Sequence, residues 1–246
     1  MEKLKSQLSE NRNKWLQNMK DKEYMKVLEE ITNICQEYIF NNNILPEYDL
    51  WDDLRPYNND VAEKHGIKYI NASFVDRFIA CQEPKEEHLD IFYDFLEKSE
   101  IELIISLKDE LTYFKNISSN LIKDNGLFRV EDYKLNNKTI RRINCYIWKD
   151  DDIITHKQME ELYKYIKKHP SFNDKHKTLI HCYAGVGRTG TMIMYSLLKE
   201  LESVDEYIIL ETLLKLRMMR VQMVGSSEQM KFLIDAFVGE MNVNCY

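Results

Sequence analysis

No two of the five cysteines (Cys35, Cys81, Cys145, Cys182 and Cys245) stand in a C-x-x-C spacing, so neither a zinc site nor a disulfide framework is indicated. No apolar run approaches the length of a membrane span, and the first residues, Met-Glu-Lys-Leu-Lys, are charged. No basic block offsets the formal charge of −7. That balance argues against general nucleic-acid binding while leaving room for a local anion pocket. Internal repeats and low-complexity tracts are missing too. These absences point to a soluble, cytoplasmic protein in a reducing compartment, with no membrane insertion. The N-x-[ST] sequons at Asn71, Asn116 and Asn137 then carry no meaning.

What is present is an apolar content of 44% over 246 residues, enough to bury one sizeable core. Residues 1–20 are polar with scattered Leu4, Leu8, Trp15 and Leu16, the pattern of a frayed or docking helix. From Tyr24, the spacing of Val27, Leu28, Ile31, Ile34, Cys35 and Tyr38 predicts an amphipathic helix. Prolines, acids and asparagines make Asn41 to Tyr57 a loop. Lys68–Phe74 and Asp76–Pro84 read as paired strands, Glu87–Lys98 as a helix and Ile101–Leu107 as a buried strand. Phe128–Leu135 and Lys138–Trp148 alternate around Asn136-Asn137, which predicts a hairpin. Thr155 is placed to cap a helix that Pro170 closes off. Ser203-Val-Asp-Glu206 and Ser226-Ser-Glu-Gln229 are capping boxes for two more helices. The expected fold class is α/β, a twisted mixed sheet with helices on both faces.

The chemistry concentrates between Lys177 and Gly190. The run Thr178–His181 reads as a buried strand and Thr191–Leu201 as a helix, with three glycines in the turn between. A strand that turns through glycines into a helix N-terminus is an anion site, because backbone N–H groups and the helix's positive end face one cavity. Gly185 and Gly187 are expected to supply the positive φ angles such a loop demands. Cys182 opens the turn and Arg188 closes it. Converging amides, a helix N-terminus and a neighbouring guanidinium favour thiolate over thiol, so Cys182 is expected to be ionised at neutral pH. The planar fork of Arg188 can hold two phosphate oxygens at once. Thr189 can give a hydrogen bond to the sulfur. A nucleophile in a phosphate cradle points to covalent phosphoryl transfer. The competing readings are a dinucleotide turn, since Gly185-Val-Gly187-Arg-Thr-Gly190 is a formal G-x-G-x-x-G, and a purely structural glycine turn. The lateness of the motif and the cysteine and arginine lining it argue against the first.

His181-Cys182-Tyr183-Ala184-Gly185-Val186-Gly187-Arg188-Thr189-Gly190 resembles the signature of the cysteine-dependent protein tyrosine phosphatases, in its tyrosine-specific form. Tyr69-Ile-Asn-Ala72 and Ile79-Ala-Cys-Gln-Glu-Pro84 resemble further family segments that buttress the active-site loops. By that resemblance, Cys182 is the nucleophile, Arg188 the phosphate clamp, and the residues from Cys182 through Tyr183, Ala184, Gly185, Val186, Gly187 and Arg188 the phosphate-binding loop. Trp148-Lys149-Asp150 resembles the family's Trp-Pro-Asp loop, which makes Asp150 the general acid and base, with Asp151 the fallback. A solvated acidic turn or a magnesium ligand set is the other reading of Asp150-Asp-Asp152. Lys149 stands where the family has proline. Arg217 and Arg220 followed by Met223-Val-Gly-Ser-Ser-Glu-Gln229 resemble the family's late glutamine loop; aligning the arginines makes Gln229 match its second glutamine as a water-positioning residue, and Gly225 replaces the first. The same Gln229 is also the third residue of a capping box. The position matching the family's ring-stacking tyrosine is Asn41, and Tyr57 is the substitute expected to bind the substrate's ring. The family's Lys-Cys-x-x-Tyr-Trp-Pro segment is missing, so a small or divergent member is expected.

The resemblance implies a helical segment over 1–40 packed on a phosphatase domain over 41–246. It implies phosphotyrosine-containing protein substrates and neither metal nor cofactor. A phosphotyrosine-binding pseudophosphatase and a dual-specificity or phosphoinositide phosphatase are the rival readings.

Overall fold

The computed structural model of the chain describes residues 2–39, 46–51, 53–110, 112–150 and 152–239. In chain order, helices α1 (Glu2–Glu10), α2 (Arg12–Lys20), α3 (Tyr24–Gln36) and α4 (Asp60–His65) precede strands β1 (Ala72–Val75) and β2 (Phe78–Cys81). Then follow α5 (Leu89–Lys98), β3 (Leu103–Ser106), β4 (Ser119–Asp124), β5 (Arg129–Leu135) and β6 (Lys138–Asn144). The chain continues through α6 (His156–Ile166), β7 (Thr178–His181), α7 (Gly187–Leu198), α8 (Glu206–Met219) and α9 (Ser227–Phe237).

The strands form one mixed sheet in the order β1-β2-β7-β3-β6-β5-β4. The central pairings β2–β7, β7–β3 and β3–β6 are parallel, and the outer ones are antiparallel. Parallel strands are buried on both faces, and side-chain alternation divides their residues between two apolar layers. Phe78 and Ala80, Leu103 and Ile105, and Ile180 join the layer beneath α1–α3 and α6–α9. Ile79 and Cys81, Ile104, and Leu179 join the layer beneath α4 and α5. The expected architecture, a twisted mixed sheet covered on both faces, is the one found.

The N-terminal stretch is two helices with a job in the core. Leu4, Leu8, Trp15 and Met19 are buried in the larger layer, each apolar side chain worth about 1.5–3 kcal/mol on burial. Trp15 Nε1 donates to Glu30 Oε2 at 2.8 Å, tying α2 to α3. The β5–β6 hairpin turns at Asn136-Asn137, where Asn136 takes φ +52°, a conformation that asparagine tolerates. Thr155 caps α6 in a full capping box with Gln158. At α8 the cap is Asp205 and not Ser203: its Oδ1 accepts from Ile208 N at 2.8 Å, and the helix starts at Glu206. Strand β4 has no counterpart in the sequence pattern. All but one of its residues are exposed, so no polar–apolar alternation was there to read.

In this topology β7 lies between β2 and β3. Ligands of parallel α/β sheets bind beyond the carboxyl ends of the strands, and the residue after β7 is Cys182.

Candidate active site

β7 ends at His181, and after five intervening residues α7 begins at Gly187. Between them the loop's carbonyls are drawn outward. Cys182 O faces His181 Nδ1 at 2.9 Å; a carbonyl can only accept, so Nδ1 carries the proton. His181 Nε2 then accepts from Tyr113 OH at 2.6 Å. Complete burial pushes the pKa of His181 down, in keeping with a neutral ring. Tyr183 O accepts from Glu83 N at 2.8 Å, and Val186 O from Gly190 N at 2.8 Å and Val224 N at 3.2 Å. Ala184 O and Gly185 O both accept from the Arg220 guanidinium, at 3.3 and 2.9 Å. With these carbonyls held by the scaffold, the loop's N–H groups are available to the concave side. Gly185 N shows the direction, donating to Cys182 Sγ at 3.3 Å.

The glycines have different reasons. Gly185 has φ +72° and lies so close to β2 that a Cβ there would meet Cys81 O at 2.0 Å, so it meets the expectation. Gly187 is not among the positive-φ residues. Its requirement is space, since a Cβ would stand 3.1 Å from Gln229 Nε2.

A cavity of about 250 Å³ opens over the loop, with Cys182, Arg188, Asp150 and Gln229 in its wall. Cys182 and Arg188 are both buried, at 3% and 4% exposure. Arg188 Nη1 donates to Trp148 O at 2.7 Å and Nη2 to Asp150 Oδ1 at 2.5 Å. The Trp148-Lys149-Asp150 segment therefore lies folded over the cradle. Trp148 is fully buried beneath it, donating from Nε1 to Asp152 O at 3.0 Å, while Lys149 and Asp150 stay exposed.

Gln229 is held from two sides. Its N–H donates to Ser226 Oγ at 3.2 Å, and its Oε1 accepts from Gly225 N at 2.8 Å. The reciprocal arm of the box thus goes to Gly225 and not to Ser226, which leaves Nε2 beside Gly187 at the cavity wall. The preceding residue, Val224, adopts φ +64°, strained for a β-branched side chain. Arg217 holds it there, with Nη2 on Val224 O at 2.7 Å and Nε on Met223 O at 2.9 Å. Full burial pushes Arg217 down to about 10.

Two expected site residues sit otherwise. Tyr57 is in the core at 5% exposure, its OH donating to Arg217 O at 2.7 Å; burial pushes that hydroxyl's pKa up. It is not in the wall of this cavity and cannot stack on a ligand there. The aromatics that do line the cavity are Trp51 and the exposed Tyr183, their rings edge-on at 4.8 Å and 87°. Thr189 is fully buried, and its Oγ1 has no hydrogen-bond partner among the described residues, so the expected bond to the sulfur is not made. Asn41 and Asp151 lie outside the described residues. Arg220 and Trp51 were not foreseen as site residues. In the sequence Arg220 serves, with Arg217, only to align the glutamine loop, and nothing there shows that it holds the cradle's carbonyls. Trp51 stands in a loop without periodicity.

Among the described residues no group of three or more His, Cys, Asp or Glu is placed to hold a metal ion, and no helix is long and apolar enough to cross a membrane.

A strand-to-helix glycine loop around a buried cysteine and arginine marks this as an α/β domain with an anion cradle. A family model for the protein-tyrosine phosphatase matches residues 114–239, more than half of the chain. The chain belongs to the protein-tyrosine phosphatase family. It is 26% identical over 236 residues to tyrosine-protein phosphatase 69D of Drosophila melanogaster, covering 80% of this chain and 16% of that one. Against receptor-type tyrosine-protein phosphatase epsilon of Mus musculus it is 26% identical over 230 residues, covering 80% and 32%. The chain therefore spans only about a sixth and a third of those relatives. In structure it resembles the protein tyrosine phosphatase TbPTP1 of Trypanosoma brucei, with TM-score 0.69, 19% identity and coverage of 90% and 93%.

Proposed function

We propose that this chain hydrolyses phosphotyrosine in proteins through a phosphocysteine intermediate. The observation that carries the reading is one cavity walled by a buried cysteine, a buried arginine and an exposed carboxylate. Cys182 Sγ attacks phosphorus in line, and the P–O bond to the aryl group breaks. Asp150 gives its proton to the departing phenolate oxygen. Arg188 and the amides from Tyr183 to Arg188 meet the charge on the equatorial oxygens, so the scheme assigns no role to a metal or cofactor. Water then attacks the phosphocysteine, Asp150 takes a proton back, and the S–P bond breaks. Thr189 would aid the departing sulfur only after its hydroxyl turns toward it.

The resting arrangement adds a step. Both terminal nitrogens of Arg188 are engaged, one by Trp148 O and one by Asp150. An incoming phosphate competes with the Asp150 carboxylate for the second nitrogen, and displacing it frees that carboxyl to meet the leaving oxygen. Gly225 has no side-chain amide to hold water and its N–H is taken by Gln229 Oε1, so Gln229 works alone and the second step is the slow one. Rapid mixing with an aryl phosphate is the experiment. A burst of released phenol about equal to the enzyme, followed by slower steady turnover, is expected. Turnover with no burst would contradict slow breakdown, and no phenol at all would favour a binding module.

The aromatic lip favours aryl over alkyl phosphates. Stacking of the substrate ring on Trp51 is worth about 0.5–1.5 kcal/mol. Trp51→Ala should raise KM for a phosphotyrosine peptide by about twofold to tenfold and leave a small alkyl phosphate unchanged. Equal effects on both would remove Trp51 from the site. The same reading puts the domain in the cytoplasm, where thiols stay reduced; Cys35, Cys81, Cys145 and Cys182 are all free.

A further inference from the structure

Far from the cradle, a second cavity of about 400 Å³ lies between β4 and α6. Its wall on the helix side is a stripe. Lys157, Glu161 and Lys164 recur at i, i+4 and i+7, one face of α6, and Lys168 follows in the turn just past its end, with Tyr165 beside them. From the strand side Lys123 reaches over, its ammonium 4.9 Å from the Phe128 ring centroid and 4.7 Å from that of Tyr165. A neighbouring cavity of about 220 Å³ shares Tyr165 and Lys168 and extends the groove toward Arg141.

The charges do not cancel. Lys123, Lys157 and Lys168 form no ion pair with a carboxylate among the described residues, while Lys164 pairs with Glu160 at 3.3 Å. The groove's two carboxylates are otherwise committed: Glu160 accepts from Tyr195 OH and pairs with Lys199, and Glu161 accepts from Asn125 Nδ2. Lysines in a helix's last turn are commonly explained by the helix dipole. Lys157 in the first turn and Lys123 on a strand have no such explanation. A concentration of unpaired cations on a chain of formal charge −7 is a local field with a purpose to find.

The strand that carries Lys123 adds a second feature. Among the described residues β4 pairs with β5 alone, so its other edge is open. Leu121 and Ile122 are 57% and 44% exposed, and Ile122 falls in a bulge without a partner in the register. Lysine on an edge strand can serve to repel other strands. Here the ammonium is turned into the groove, over two rings, and does not guard the edge.

We infer that the β4–α6 groove is a docking surface for an acidic peptide segment of a partner protein. Its carboxylates would meet Lys123, Lys157, Lys164 and Lys168, and a large apolar side chain would cover Leu121 and Ile122. Complementary charge sets the partner's chemistry and its rate of encounter, and the open edge suits an extended segment.

The test is fluorescence anisotropy with a labelled peptide alternating glutamate and isoleucine, on the whole chain at low and moderate salt. Binding is expected at low salt, weaker at higher salt, and weaker by about tenfold in the double variant Lys157→Glu, Lys168→Glu. Leu121→Ser with Ile122→Ser should weaken it at every salt concentration. Circular dichroism confirms that each variant is folded. Absence of binding by the wild type, equal binding by the lysine variant, or equal binding of a lysine-for-glutamate peptide would overturn the proposal. Capture by phosphatidylserine vesicles without peptide binding would overturn it too, assigning the surface to lipid.

Discussion

Replacing Cys182 with serine is expected to abolish turnover of a phosphotyrosine peptide while leaving its binding in place. The loss should reach at least about 10⁴-fold, the scale on which removing a nucleophile falls in other covalent hydrolases. The reason lies in what surrounds the side chain. A serine hydroxyl needs a base to become a nucleophile, and the adjacent histidine cannot serve. His181 has Nδ1 committed to the Cys182 carbonyl and Nε2 to Tyr113 OH, and it is fully buried. Arg188 and the loop amides are untouched by the change, so affinity for the phosphopeptide, read by calorimetry, should stay within a few-fold. A serine variant that retains a tenth of the activity would show that the sulfur is not the attacking atom.

Asp150→Asn carries the second-largest effect, and its size should depend on the leaving group. Tyrosine's phenolate is a poor leaving group that needs a proton as the bond breaks. Losing the donor should cost about 10²–10⁴-fold in kcat on a phosphotyrosine peptide. A nitrophenolate departs without help, so the same variant should lose far less on nitrophenyl phosphate. The variant also removes the carboxylate charge from Arg188 Nη2, so inorganic phosphate should inhibit it more strongly than it inhibits the wild type. Equal losses on both substrates would make Asp150 a merely structural partner of Arg188.

The parts of this site that were legible in the sequence are those written in one contiguous run. Strand, glycine turn and helix lie within residues 178–198, so local pattern alone places Cys182 and Arg188 against each other. Tyr57 shows the limit of that approach. Nearness in sequence to the Tyr69-Ile-Asn-Ala72 segment says nothing of which way a ring faces, and the Tyr57 ring faces the core because its OH finds the Arg217 carbonyl. Trp51 reaches the cavity wall from a loop, where no period betrays direction. The grip of Arg220 on Ala184 and Gly185, together with Asn71 at 2.8 Å, joins residues far apart in the chain, and only tertiary structure brings them together. Gly187 was legible as a requirement for glycine and misread in its cause, since the crowding comes from Gln229 some forty residues on. Helices α1 and α2 look weak as a pattern because their buried residues are few; tertiary packing supplies what amphipathicity alone does not.

The account turns on the formation of a sulfur–phosphorus bond at Cys182. Acid quenching during turnover of an aryl phosphate, followed by peptide mass spectrometry, measures that directly. A phosphoryl group on the peptide holding Cys182, absent from the serine variant, is the predicted result. Product release with Cys182 unmodified at every time point would contradict it.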